Sequence, residues 1–278
     1  RKNEDGSPKH SVVAFLGKGK VFPMALGEVR KAVSDSDIVV VGMSSSAKLA
    51  EPEIAACEEA VSQKRKISFG FYGDTYHCHE RAREDAWFGP YRRYADFFLA
   101  INQNEADSAR NVLVKPTLIS VFTGNPTWED YAFPKYTRAE VRAKYGVVDD
   151  EIWVLLSGIK SPVINIVNCG ILIEALTGLH GKSRVTVALH PGDKTPVEIY
   201  EGLKDSSILV EFLDRDTNAS DVLPGVDIVV TWNSSSIAVE AAHQRLPVIG
   251  LSTDLGRKRT FSESNTEKWE QVELGIVE

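Results

Sequence analysis

Short, almost unbroken apolar runs punctuate this chain, and they constrain its fold more than any other feature. They lie at 12–16, 38–42, 67–72, 97–101, 117–121, 152–157, 185–189, 208–212, 228–231 and 248–251, and are rich in Val, Ile and Phe. A strand with one wet face alternates apolar and polar residues. A near-continuous run means burial on both faces, the habit of parallel sheets covered by helices. Helical patterns fill the intervals at 53–64, 138–145, 164–176 and 237–244. The expectation is an α/β protein with doubly wound parallel sheets.

With 278 residues, the chain exceeds the roughly 100–200 residues of a typical domain. A stretch of turn formers and aromatics runs from Thr123-Gly124-Asn125-Pro126 to Phe133-Pro134. A charged helix follows, with Thr137 as N-cap, Glu140 three residues on as the partner of a capping box, and Gly146 at its C-terminal end. The hinge belongs within 122–149, which gives domains of 1–134 and 135–278. The sequence also echoes itself. Asp37-Ile38-Val39-Val40 leads to Ser44-Ser45-Ser46, and Asp227-Ile228-Val229-Val230 leads to Ser234-Ser235-Ser236, an offset of 190 residues (227 − 37). Two Rossmann-like halves facing a cleft would each place such a serine loop at a strand's carboxyl end, where open α/β sheets bind ligands. A chance match of serines is the other reading.

Composition removes several classes. A formal net charge of −7 argues against bulk nucleic-acid binding, which needs a surplus of Lys and Arg to displace counterions. No apolar run approaches the roughly 20 residues that span a bilayer. Three scattered cysteines, Cys57, Cys78 and Cys169, do not make a secreted disulfide framework, so the reducing cytoplasm is the expected compartment. The chain opens on Arg1 rather than methionine and ends at Glu278 inside an apolar run, as a piece of a longer protein would.

The densest chemistry lies between Asp227 and Leu251. A buried strand runs into three serines, then into a helix that carries Glu240. Hydroxyls and free amides at a helix N-terminus attract phosphate. A carboxylate one turn further on can accept two hydroxyl hydrogen bonds from a ribose. Ordinary N-capping by Ser234 or Ser235 beside a solvated glutamate is the plainer alternative.

This segment resembles the nucleotide-binding part of the carboxyl-terminal domain of GT-B glycosyltransferases, a superfamily that includes the non-hydrolysing UDP-N-acetylglucosamine 2-epimerases. The stretch from Thr123 through the charged helix to Gly158 is similar to the interdomain region of these proteins. The resemblance implies that Ser234, Ser235 and Ser236 hold a diphosphate and that Glu240 holds the ribose. It implies that Gly158 lets the backbone approach the donor, with Lys160 adding charge. His190, in Leu189-His190-Pro191-Gly192, matches a His-Pro often found at the next strand end. Phe212 and Leu213 fall where such proteins place the base, read partly through backbone groups.

The amino-terminal half is then expected to supply the acceptor side and a general base. At the end of the run at 67–72, Gly73-Asp74-Thr75-Tyr76-His77-Cys78-His79-Glu80 crowds titratable groups into one loop. Asp74 is the first candidate for the base and His77 the second. His77-x-His79-Glu80 also has metal-ligand spacing, but no fourth ligand is identifiable, so no metal or other cofactor is expected. Gly17-Lys18-Gly19-Lys20 lacks the spacing of a phosphate loop and reads as a basic turn, or, as the resemblance implies, as a glycine-rich turn lining the acceptor cleft. Trp87-Phe88-Gly89-Pro90-Tyr91-Arg92-Arg93-Tyr94 could meet an anionic membrane surface or a lipid-linked acceptor, or be a half-buried helix with snorkelling arginines.

Two departures bear on the reaction. Retaining GT-B enzymes often carry a second glutamate eight positions before the ribose one, where this chain has Trp232. The epimerases carry a loop rich in histidine and arginine and a pair of adjacent glutamates, where this chain has Ile159-Lys160-Ser161 and Val239-Glu240. The expectation is an inverting glycosyltransferase that uses a UDP-type nucleotide sugar and a carbohydrate or lipid-linked saccharide acceptor. A nucleotide-sugar epimerase or hydrolase, or a non-catalytic binding protein, are the alternatives.

Overall fold

A computed structural model describes residues 26–42, 51–63, 68–72, 96–112, 119–177, 182–203, 208–232, 235–255 and 257–258. The expectations for 12–16, Gly17 to Lys20, Ser44 to Ser46, Asp74, His77 to Glu80, Trp87 to Tyr94 and Ser234 lie outside the described residues. The nine apolar runs from 38 onwards are all strands, β1 Ile38–Val41, β2 Ser68–Tyr72, β3 Phe97–Ala100, β4 Ile119–Phe122, β5 Glu151–Ser157, β6 Lys182–Ala188, β7 Leu209–Phe212, β8 Ile228–Thr231 and β9 Val248–Gly250. All their pairings are parallel. The α/β reading therefore holds, with two separate sheets.

The chain divides into two compact units, Arg1–Asn125 and Pro126–Glu278. The division falls nine residues before the boundary drawn after Pro134 in the sequence. The reason is the 3-10 helix Pro126–Ala132, whose Tyr131 ring lies edge-on to His243 with centroids 6.4 Å apart. That segment is held by the second unit's own elements.

The first unit has the sheet order β1-β2-β3-β4. Helices α1 Leu26–Ser34, α2 Glu51–Ser62 and α3 Gln103–Val112 supply the buried Val29, Val33, Ala56, Cys57 and Ala106, and the sheet supplies Phe98 and Ala100. Burial pushes the Cys57 thiol up to about 12, with the Glu58 carboxylate adding to the effect, so this cysteine is an inert packing group.

The second unit has the order β7-β6-β5-β8-β9. Trp153, Val154, Leu155 and Leu156 on β5 are all buried, as a central strand covered on both faces must be. Helix α5 Pro162–Thr177 starts with a proline at its first position, where the missing N–H costs nothing. It places Cys169, Leu172 and Leu176 over Val154, Leu156, Val185, Val187 and Val230. Helices α4 Arg138–Lys144 and α6 Ser236–His243 bring Val141, Ile237, Ala238 and Ala241 into a second cluster with Trp153, Leu155 and Val229. The capping box at Thr137 and Glu140 forms as read.

The echo also finds a structural meaning. In each unit the Asp-Ile-Val-Val strand leads through a helix into its parallel neighbour: β1, α2 and β2 in the first unit; β8, α6 and β9 in the second. Asp227 itself is a fastening point. It accepts bonds from the Trp153 amide at 2.8 Å, Arg142 at 3.2 Å and Arg138 at 2.5 Å, and so ties α4 and β5 to the start of β8.

Candidate functional site

The strand order of the second unit reverses between β5 and β8: β5 continues to β6 on one side, and β8 to β9 on the other. Ser157, the last residue of β5, pairs with Thr231, the last of β8. Such a reversal of strand order is the place where open α/β sheets bind ligands. One loop carries Gly158 and Lys160 into α5. The other leads through Ser235, the N-cap of α6, to Ser236.

Gly158 is held close. Its amide donates to the Ala188 carbonyl at 2.8 Å, and a Cβ there would lie 3.2 Å from both that oxygen and Asn165 Oδ1. This tightness keeps the β5 loop against the end of β6. Lys160 crosses from that loop over Gly192, where a Cβ would lie 3.0 Å from both Lys160 Cε and His190 Nδ1. His190 Nδ1 accepts the Gly192 amide at 2.8 Å, which leaves Nε2 as the protonated donor of a neutral ring. Burial lowers the pKa of His190 and the Lys160 cation lowers it further, against the opposing pull of Asp193. Gly158, Lys160 and His190, read separately from the sequence, are thus one group, with one cation and one neutral N–H donor side by side.

Ser235 has the extended backbone of an N-cap, yet its side chain makes no capping bond. Ser236 is exposed beside it. The plainer alternative of a conventional serine cap is not what Ser235 does.

Glu240 departs from an open ribose receptor. It is 6% exposed, and its Oε2 accepts a hydrogen bond from the Ser220 hydroxyl. The Tyr131 hydroxyl also donates to it. Burial raises the pKa of the carboxyl, and the Ser220 and Tyr131 bonds moderate the rise. These two hydroxyls take two of the roughly four acceptor sites that a carboxylate offers.

Phe212 ends β7, two strands from the switch point. Leu213 is a core residue: it is 8% exposed, and its amide is committed to the Val187 carbonyl at 2.9 Å. Both line a cavity of about 700 Å³ together with Tyr145, Glu211, Asp214 and Thr217.

Several residues at this site were not read from the sequence. Asn165 and Asp193 are 3% and 1% exposed, and Tyr200 is 1% exposed. The one trace in the sequence was polar Asn165 within the apolar pattern of α5. Among the described residues no group of three or more His, Cys, Asp or Glu could hold a metal ion. Among them also, no helix is long and apolar enough to cross a membrane.

No protein-family model matches the chain, and no curated protein does. Solved structures do. One is a UDP-GlcNAc 2-epimerase from Neisseria meningitidis bound to UDP-GlcNAc, with a TM-score of 0.58 and 16% identity over 91% of this chain and 66% of that one. Another is MnaA of S. aureus with UDP, at 0.55 and 18% identity over 99% of this chain and 70% of that one. A third is MurG of Acinetobacter baumannii, at 0.52 and 13% identity over 91% of this chain and 63% of that one. The chain thus spans between 63% and 70% of the length of these proteins. The likeness is one of fold, and it defines the class: a GT-B-type α/β protein with two Rossmann-like units.

Proposed function

We propose that the second unit binds a nucleotide-activated sugar of the UDP type, and that the chain transfers the sugar to an acceptor with inversion. The observation that carries this reading is the closeness of Lys160 and His190 about Gly192 at the carboxyl ends of β5 and β6, with the N-terminus of α6 following the end of the neighbouring β8. A cation, a neutral N–H and the amides of a helix N-terminus suit a diphosphate. Structures of similar fold were solved with UDP-GlcNAc and UDP, which supports a uridine nucleotide as the partner. Ser234, Ser235 and Ser236 complete the phosphate side, Glu240 takes the ribose hydroxyls, and the cavity beside Phe212 and Leu213 takes the base.

In the transfer, Asp74 or His77 removes the acceptor hydroxyl proton. The oxygen attacks the anomeric carbon from the face opposite the leaving group. The bond from that carbon to the phosphate oxygen breaks, and its electron pair leaves with the nucleoside diphosphate. Lys160, His190 and the amides of the serine loop stabilise the developing charge. The acceptor is a carbohydrate or lipid-linked saccharide.

Epimerisation of the nucleotide sugar is the second reading. The observation in its favour is the TM-score of 0.58 to a UDP-GlcNAc 2-epimerase, against 0.52 to MurG. Against it stand Ile159-Lys160-Ser161 and the single Glu240. Proton NMR of UDP-GlcNAc separates the two. A transferase leaves the donor intact until an acceptor is added, and Asp74→Asn then abolishes transfer while nucleotide binding persists. Conversion of the donor alone overturns the transferase reading, and no binding of any UDP-sugar overturns both.

A further inference from the structure

We propose that Asp193, acting through Asn165, is a positioning residue that locks Lys160 and His190 into a single two-donor grip on the diphosphate. The proposal rests on the reading of Lys160 and His190 as phosphate contacts.

The two side chains sit on different loops, one after β5 and one after β6. The pairing of β5 with β6 and the Gly158 amide fix where the two loops begin. A buried polar cluster links them beyond that point. The Asn165 carboxamide clasps the backbone of Ile159, next to Lys160. Its Oδ1 accepts the Ile159 amide at 2.8 Å, and its Nδ2 donates to the Ile159 carbonyl at 2.8 Å. The remaining N–H of Asn165 donates to Asp193 Oδ2 at 3.1 Å. The same oxygen accepts the Tyr200 hydroxyl at 2.7 Å, and Asp193 Oδ1 accepts the Thr195 amide at 2.9 Å. The Asp193 amide in turn donates to the His190 carbonyl at 2.8 Å, which closes the turn that presents the imidazole. Arg215 donates to the carbonyls of Asp193 and Thr195 from the far side.

Asp193 is therefore the point where both loops meet. A carboxylate 1% exposed is costly to bury unless its acceptor sites are filled. Here they are filled by donors from three places: α5, the loop itself and Tyr200. Exchanging the carboxylate for an amide of equal size turns one acceptor into a donor. Whichever way that amide is turned, an N–H then faces either Asn165 and Tyr200 or the Thr195 amide. The fold core is left alone, but the register between the two loops is loosened. A displacement of about 1 Å is enough to cost a positioned site much of its binding.

The test is calorimetric titration with UDP, and titration by NMR with uridine, which lacks the phosphates. Asp193→Asn is expected to weaken UDP about tenfold or more, with uridine changed less than about twofold. Tyr200→Phe removes one donor and keeps the ring, so it serves as a milder probe with a smaller loss confined to UDP. Equal losses for UDP and uridine would reduce Asp193 to a structural residue and overturn the proposal, as would unchanged UDP binding in Asp193→Asn. A wild-type chain that does not bind UDP would instead overturn the donor-site reading, and this proposal with it.

Discussion

Asp227 and Glu240 are both carboxylates with hydrogen-bonding partners, yet their environments push them in opposite directions. Burial raises Asp227, but the Trp153 amide and the Arg138 and Arg142 guanidiniums outweigh it, and its pKa falls below the ordinary value. A carboxyl lowered on folding contributes stability that is present above its unfolded pKa and is lost as pH falls through the folded one. Asp227→Asn strips Arg142, itself 5% exposed, of its carboxylate partner. The expected cost is about 2–3 kcal/mol by urea unfolding at neutral pH, and the difference from wild type should shrink under acid. Glu240 shows the reverse sign. Its folded pKa is raised by burial, so its contribution is full below the unfolded pKa and is lost as pH rises through the folded one. Glu240→Gln should therefore keep or raise the melting temperature at neutral pH while UDP binding falls about tenfold. A lower melting temperature with unchanged UDP affinity would make Glu240 a tether for Ser220 and Tyr131 only.

At the scale of elements, the sequence was legible wherever a local rule decided the structure. Near-continuous apolar runs marked the strands from 38 onwards, although only central strands such as β5 are buried on both faces, and β1 and β4 expose one face. The capping box of α4 was readable because Thr137 and Glu140 are three residues apart and bond each other's backbone and side chain. Helices α1 and α3 were not read, since α1 buries only Val29 and Val33 and the described part of α3 only Glu105 and Ala106. So narrow a stripe gives a weak periodic signal. The end of α6 carries a further local feature. Arg245 has φ 60°, a left-handed conformation that costs a residue with a Cβ about 1 kcal/mol. Arg245→Gly is expected to stabilise the chain by about that amount in chemical denaturation. The 3-10 helix Leu223–Gly225 is fixed by contact instead. A Cβ on Gly225 would meet Val141 Cγ1 at 2.5 Å and Trp153 Cζ3 at 2.7 Å. Gly225→Ala should therefore cost about 1–3 kcal/mol, read in the same experiment, and no loss would mean that α4 shifts freely.

At the scale of the whole molecule, the candidate site divides by how far apart its partners lie in the chain. The resemblance pointed to Gly158, Lys160 and His190, and Ser235 and Ser236 were singled out because a strand assignment also locates its carboxyl end. The cluster of Asn165, Asp193 and Tyr200 could not, since α5 and the loop after β6 meet only once the sheet is assembled. The closure of Glu240 by Ser220 and Tyr131 was hidden for the same reason. If the second unit holds the proposed site, UDP at about 100 times its dissociation constant should stabilise that unit by about 2.7 kcal/mol. The most direct measurement is a calorimetric titration of UDP into the wild-type chain and into Lys160→Ala. Binding by the wild type and a loss of about tenfold or more in the variant is the predicted result. No binding by the wild type, or equal affinity in the two, would contradict the assignment of the nucleotide site to the β5–β8 switch point.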